Sequence, residues 1–395
     1  MSGEQGSSGG RGPRRRSNNG RRGGGRSSGG GARGGSSSGG GQRSGGGDRR
    51  GGSGNRGGGG GGRGRGGGGG KRRYGGAPID TARARGAEAS KVARDRAEGR
   101  FTRSGKVMGH PEDMEEPRRF SFEWPLTPVP LTEEEKAAEL VVRKGEFGWL
   151  PDERVEEIRA GVEAFHMTLE QALSLRSALL QQKTVYSHHK MKSRGKALRS
   201  AYDEGVSIVD LSKRFDFPPM NIFRTVLEEK GWGKTKIKES FKDPKRLKQR
   251  EREEFEAAEA ADRVSNVDQS ESADAADLFE EILADWFEAQ GVRLRRQPEM
   301  VAEQSLEHGR PIATPDLLFL DHVEINGEPV AWIDAKHFYG ADVDFQRKKM
   351  AKQMNRYIDE WGAGAIVFRH GFCANVFVPG VTLLDAGPLD LSPLH

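Results

Sequence analysis

The chain has 395 residues with 57 glycines, a lone cysteine, 64 basic against 58 acidic side chains and a formal net charge of +6. One cysteine, Cys373, excludes an intrachain disulfide and a cysteine-built zinc site, which fits a reducing compartment. No apolar run approaches the ~20 residues of a membrane span, and the N-terminus has neither the apolar core of a secretory signal nor the amphipathic face of a transit peptide.

Residues 1–76 hold 37 of the glycines and almost no apolar side chains. Such a segment buries too little surface to offset chain entropy, so disorder is expected. Its 17 basic residues against Glu4 and Asp48 give +15, which leaves −9 for the rest of the chain. Arg22, Arg33, Arg50, Arg56 and Arg65 each open an Arg-Gly-Gly unit. A flexible arginine-rich chain grips phosphate backbones by counterion release and stacking, RNA more often than DNA. The cluster Lys71-Arg72-Arg73 suits a nuclear protein with a cytoplasmic pool. Residues 77–130, charged and broken by Pro111, Pro117, Pro125, Pro128 and Pro130, read as linker, with Phe120, Phe122 and Trp124 alternating as a segment that docks on a neighbour.

Residues 131–190 read as a helical domain of three or more helices. Thr132 and Glu135 form a capping box at its start, and Thr168 caps a helix with Leu169, Ala172, Leu173, Leu175, Leu179 and Leu180 as its apolar stripe. His188 and His189 are adjacent, so they point to different sides of a helix and chelate poorly. Residues 191–235 follow a helix-turn-helix plan: a helix ending at Gly205, a second over Ile208 to Arg214 capped by Ser207 with Asp210, and a third from Met220 to Lys230. On the third, Ile222, Phe223, Val226 and Leu227 face inward, which leaves Asn221, Arg224 and Thr225 to read base edges, although Glu228 and Glu229 repel phosphate. Residues 236–270 read as a charged helical linker, basic to Arg252 and acidic beyond.

Residues 271–395 read as an α/β domain. Asp277 to Gln290 is an amphipathic helix ended by Gly291, and Phe345 to Trp361 is another; strands follow at Ala365 to Phe368 and Phe372 to Val378. Between the helices, the apolar runs Leu317 to Leu320 and Val330 to Ile333 flank Asn326-Gly327, the dipeptide that most favours a two-residue hairpin turn. Antiparallel pairing then brings Asp316 within reach of Asp334 and Lys336, which share a face. Two converging carboxylates ionise cheaply only around a cation, and hard oxygen ligands select Mg²⁺ or Mn²⁺. A lysine beside the ion holds a water or a phosphate oxygen, which completes a minimal apparatus for metal-assisted phosphodiester hydrolysis.

Pro315-Asp316 followed eighteen positions later by Asp334-Ala335-Lys336 resembles the PD-(D/E)XK signature of the restriction-endonuclease-like superfamily. More narrowly, ATPDLL, VAWIDAKHFYG, the Gln353-to-Tyr357 spacing and WGAGAIVFRHGF are similar to the TPD family, which includes the codanin-interacting nucleases of animals. The likeness covers the last 120 or so residues and thins out back to about Lys183. It implies a metal-dependent nuclease of nucleic acid, DNA foremost, with Asp316, Asp334 and the Ala335 carbonyl on Mg²⁺, Lys336 orienting the attacking water, and an acid from the preceding helix. Glu280 fits that last place best, with Glu281 and Asp277 as rivals. It further implies a contact from Gln353 and a codanin-like partner in chromatin assembly. Animal members carry Glu where Asp334 stands and differ at His337, which receives no catalytic role. The alternative is an adaptor that keeps the fold and binds without cleaving.

Overall fold

The computed structural model describes residues 79–264 and 269–394. The tail 1–76, with Arg22, Arg33, Arg50, Arg56 and Arg65, lies outside the described residues. In chain order the elements are α1 (Ile79–Gly99), β1 (Arg119–Phe122), α2 (Leu131–Val141), α3 (Asp152–Glu163), α4 (Leu169–Lys192), α5 (Gly195–Asp203), α6 (Ile208–Phe215), α7 (Pro219–Glu229), α8 (Lys234–Lys242), α9 (Gln249–Ala260) and α10 (Gln269–Ala289). They continue with β2 (Leu294–Arg296), α11 (Gln297–His308), β3 (Leu317–Ile325), β4 (Glu328–Lys336), α12 (Asp344–Trp361), β5 (Gly364–Phe368) and β6 (Val381–Asp385). No described helix is long and apolar enough to cross a membrane.

The six strands form one mixed sheet in the order β1-β3-β4-β5-β6, with β2 also on the outer edge of β3. The hairpin forms where Asn326-Gly327 placed it: both residues have positive φ, 53° and 76°, and Ile325 pairs with Glu328 across the turn. The side chains of β4 then sort the core, with the strict alternation broken between Val330 and Ile333. Trp332 packs with α12 and with Val141, Ile158 and Leu175 of the α2 to α4 layer, whereas Val330, Ile333 and Ala335 face Phe279, Leu283 and Phe287 of α10. A third cluster, with Tyr202, Phe223 and Phe255, is built by α5 to α9.

Several boundaries differ from the sequence expectation. The supposed linker 77–130 contains α1 and β1: Ala93 and Ala97 are buried against the sheet layer, β1 runs parallel to β3, and Phe122 and Trp124 pack on Trp286 and Phe287. Helix α2 starts at the expected residue, but its N-cap is Pro130 with no side-chain cap in place of the Thr132–Glu135 box. Its neighbour α4 is capped by Thr168 as expected, in a reciprocal box with Gln171. The supposed charged linker 236–270 includes α8 and α9, and α9 buries Phe255 and Ala258 in the helical cluster while Asp262 accepts from the Met220 N–H at the start of α7. Phe372 to Val378 is not a strand; Phe372 and Cys373 make single bridges to Gly340 and Val129, and the outer strand is β6, parallel to β5.

Strand β3 is irregular at its middle. Near the turn Val323 pairs with Val330, but beyond the irregularity Leu318 pairs with Trp332, so β3 carries three more residues than β4 in the interval. Asp321 sits in that bulge with no exposed surface. Its carboxylate accepts from the backbone N–H groups of Arg118 and Arg293 at 2.8 and 2.9 Å and ion-pairs with both guanidiniums. Burial opposes its charge, but the hydrogen bonds from Arg293 and Arg118 outweigh that and hold its pKa below the ordinary carboxylate value. An asparagine offers one acceptor where two backbone donors need satisfying. Asp321→Asn is therefore expected to cost about 3–5 kcal/mol, measured as a fall in the urea midpoint. Because the folded pKa is depressed, the wild-type contribution is constant from pH 5 to 8 and is lost only as pH falls through that depressed value.

Candidate active site at the strand ends

The bulge decides what meets at the far end of the hairpin. A hairpin kept in the register of its turn would set Asp316 opposite His337; the shifted register sets it opposite Asp334. Asp316 Oδ2 accepts from the Ala335 N–H at 2.7 Å, and Oδ1 accepts from Gln297 Nε2 at 2.7 Å. Asp334 Oδ1 accepts from Gln353 Nε2 at 3.0 Å, and Oδ2 is ion-paired with the Lys336 ammonium. Tyr357 extends the chain of contacts: its hydroxyl accepts from Gln353 Nε2 and donates to the Thr314 carbonyl. Asp316 is 7% exposed and Asp334 1%.

The electrostatics follow from this burial. Asp316 is pushed well above the carboxylate range, first by desolvation and then by the Asp334 charge. Desolvation also raises Asp334, with Lys336 pulling the other way. Burial works against the Lys336 charge, but Asp334 and Asp316 outweigh it and hold the ammonium above its ordinary value. Glu280, half-buried on α10, is raised to about 7 by desolvation and by Asp277, and it feels both Lys336 and Asp334. Its rivals Glu281 and Asp277 are exposed. His337 points the other way, against Arg369 and 6.4 Å from the Phe279 ring, and desolvation with the Arg369 charge lowers its pKa.

The structure thus gathers Asp316, Asp334, Lys336, Ala335, Gln353 and Glu280 at one place. It leaves the helix-turn-helix candidates elsewhere, on α7. Arg224 is exposed with its guanidinium 5.6 Å from the Phe241 ring centroid. Thr225 corrects the expectation: it is 3% exposed, its hydroxyl donates to the Asn221 carbonyl at 2.9 Å and it abuts Met191, so it reads nothing outside the fold. Sequence reasoning missed Gln297, which holds Asp316 from the first position of α11 and donates to the Thr314 carbonyl. Its one local signal was Pro298 at the second helical position, a mark of a helix start.

A family model described as "Protein of unknown function TPD sequence-motif" matches residues 247–386, a span that contains all these strand-end residues. An uncharacterised protein of Acanthamoeba polyphaga mimivirus is 29% identical over 115 residues, 28% of this chain and 40% of that protein's length. No solved structure matches the chain.

A carboxyl that the fold prefers neutral has a readable consequence. Glu280 binds its proton more tightly folded than unfolded, so wild-type stability falls as pH rises from about 4.5 to about 7 and levels off above. Glu280→Gln is expected to match wild type at pH 4 and to exceed it by roughly 1–3 kcal/mol at pH 8, read from denaturant midpoints at the two pH values.

Proposed function

We propose that the chain is a metal-dependent nuclease of the restriction-endonuclease-like superfamily, cleaving phosphodiester bonds in nucleic acid, DNA foremost. The observation that carries this reading is the pair of buried carboxylates, Asp316 and Asp334, on adjacent strand ends with Lys336 two residues on. Packing gains nothing from burying two acids whose ionisation the surroundings resist.

The donors fit a hard divalent cation. Asp334 Oδ2 is buried, and its partner among the described residues is the Lys336 ammonium alone. Among the described residues no three acid, histidine or cysteine side chains are grouped as a metal cage. Mg²⁺ and Mn²⁺ need no cage: one or two carboxylates suffice while waters fill the remaining positions. Asp316, Asp334 and the Ala335 carbonyl would hold the ion, and Glu280 one of its waters. Bound there, the ion supplies Lewis-acid polarisation of the phosphodiester and a more acidic water. Lys336 places a positive charge where a phosphate oxygen carries negative charge, and it donates to the attacking water. Gln353 and Gln297 fix the orientations of Asp334 and Asp316 through the bonds described above. By resemblance alone, the reading extends to a codanin-like partner in chromatin assembly and a nuclear location, with the Arg-Gly tail adding affinity for RNA or DNA.

Labelled branched, single-stranded and duplex DNAs and RNAs, incubated with Mg²⁺ or Mn²⁺, test it. Wild type is expected to cut at least one of them, and Asp334→Ala and Lys336→Ala to lose ~100-fold or more in rate. Mg²⁺ should also raise the thermal midpoint of wild type and leave that of Asp334→Ala unmoved. Binding without cutting, together with no Mg²⁺ shift, would return the adaptor reading.

A further inference from the structure

Helix α12 carries more than Gln353. Lys349, Lys352 and Arg356 are exposed, and their spacings of three and four align them as one stripe along the helix. No carboxylate lies within ion-pair distance of any of the three among the described residues, although the chain beyond its tail carries a net −9. Some exposed cations have acid partners, as Arg246 has Glu239 and Asp243 and the adjacent Lys348 has Asp344. Others, such as Lys196, Lys213 and Lys238, have none among the described residues, so it is the alignment beside the acid site that sets these three apart. Arg356 has one long contact, 3.5 Å to the Ile312 carbonyl.

The position of Gln353 gives this stripe a meaning. At 100° per residue it falls between the stripe and the buried row of Met350, Met354 and Tyr357, and its amide reaches Asp334. The stripe therefore begins one step outward from the acid site, on the same side of the helix. Lys349 to Arg356 covers about 10 Å of axis at 1.5 Å per residue, a length in which one strand of a duplex presents about three phosphates at 3.4 Å each.

We propose that Lys349, Lys352 and Arg356 form a track for the phosphodiester backbone of the strand that enters the Asp334–Lys336 site. The proposal rests on the nuclease reading, because Asp334 is what fixes where the reacting phosphate lies. Such a track positions a strand and reads no bases. It lies on a different helix from the base-reading candidates of α7.

Amine acetylation of the full chain, mapped by mass spectrometry with and without saturating duplex DNA in metal-free buffer, tests it locally whatever the tail binds. Lys349 and Lys352 are expected to lose reactivity on DNA addition while Lys136 on α2 keeps its own. Undiminished reactivity of Lys349 and Lys352 at saturation would overturn the track. Replacing all three residues by alanine is expected to reduce the slope of log K against log salt by about 2–3, at roughly 0.9 per phosphate contact, whereas Lys136→Ala leaves the slope unchanged. An unaltered slope in the triple variant would also overturn it. Protection without cleavage by wild type would leave the track standing and sink the nuclease; cleavage without protection would do the reverse.

Discussion

The geometry of the acid site depends on a charge that is not in it. A fully buried carboxylate is tolerated only when paired and hydrogen-bonded, and the partners of Asp321 stand at the beginnings of β1 and β2. Those two short strands share one edge of β3 and meet at Asp321, where neither pairs: β2 pairs as far as Phe319 and β1 takes over at His322. The break absorbs the three additional residues of β3 and resets the register. Asp316 then faces Asp334, and its carboxylate accepts the Ala335 N–H across the strand ends. A one-residue slip inverts every side chain of a strand, yet β3 keeps one face throughout, with Leu317, Phe319, Val323 and Ile325 in the core against α10. It is β4 that changes parity, Val330 and Ile333 sharing that core on either side of Ala331 and Trp332. The site lies beyond that register shift, at the ends of β3 and β4.

The helices that precede the sheet in sequence serve the same end. The segment that leads from β4 into α12 is held by backbone donors reaching into them: Tyr339 N–H to Ser174 Oγ and Phe345 N–H to Gln182 on α4, and Asp342 N–H to the buried carboxyl of Glu134 on α2. Glu134 is itself raised to about 7, chiefly by burial. These contacts fix the start of α12 and with it the reach of Gln353. Helix α1 acts at the other end, where the Ala93 carbonyl accepts the Ala363 N–H just before β5. Gly362 there has φ 85°, and a Cβ on it would lie 2.3 Å from the Ala97 nitrogen. The helical region 131–190 and the supposed linker are thus parts of the α/β unit.

What could be read from sequence was what is decided locally. The hairpin was legible because Asn326 and Gly327 accept positive φ without help from the rest of the chain, and α4 because its cap and stripe lie within a few turns. Asp316, Asp334 and Lys336 followed from the hairpin, although their actual pairing required a bulge that no spacing announces. Helix α1 was illegible for the opposite reason: it packs through Ala93, Ala97 and Gly86, which give no apolar periodicity. Thr225 failed because a wheel drawn for one helix assumes an open outer face, and α7 is enclosed by α5, α6, α8 and α9. The run Phe372 to Val378 is as apolar as a strand, but it is tied down by Asn375 donating to Asp342 rather than by a ladder.

The remaining asymmetry is in the charges. Inside the strand-end site, three acids and one lysine sit where burial raises every acid, so the fold by itself would be more stable with fewer of them. Outside it, α12 exposes three aligned cations with no carboxylate in ion-pair distance among the described residues. The first is hard to justify on folding grounds alone, and a metal-bound nucleic acid would make sense of both. A divalent cation offsets the first and a phosphate backbone the second, and Gln353 stands between them on one helix. An adaptor that used only the outer surface would gain from the stripe and would have no use for the buried Asp334–Lys336 pair, which an apolar pair could replace. The buried, charge-averse acids beside an exposed basic face are thus what favours the proposed nuclease over the adaptor.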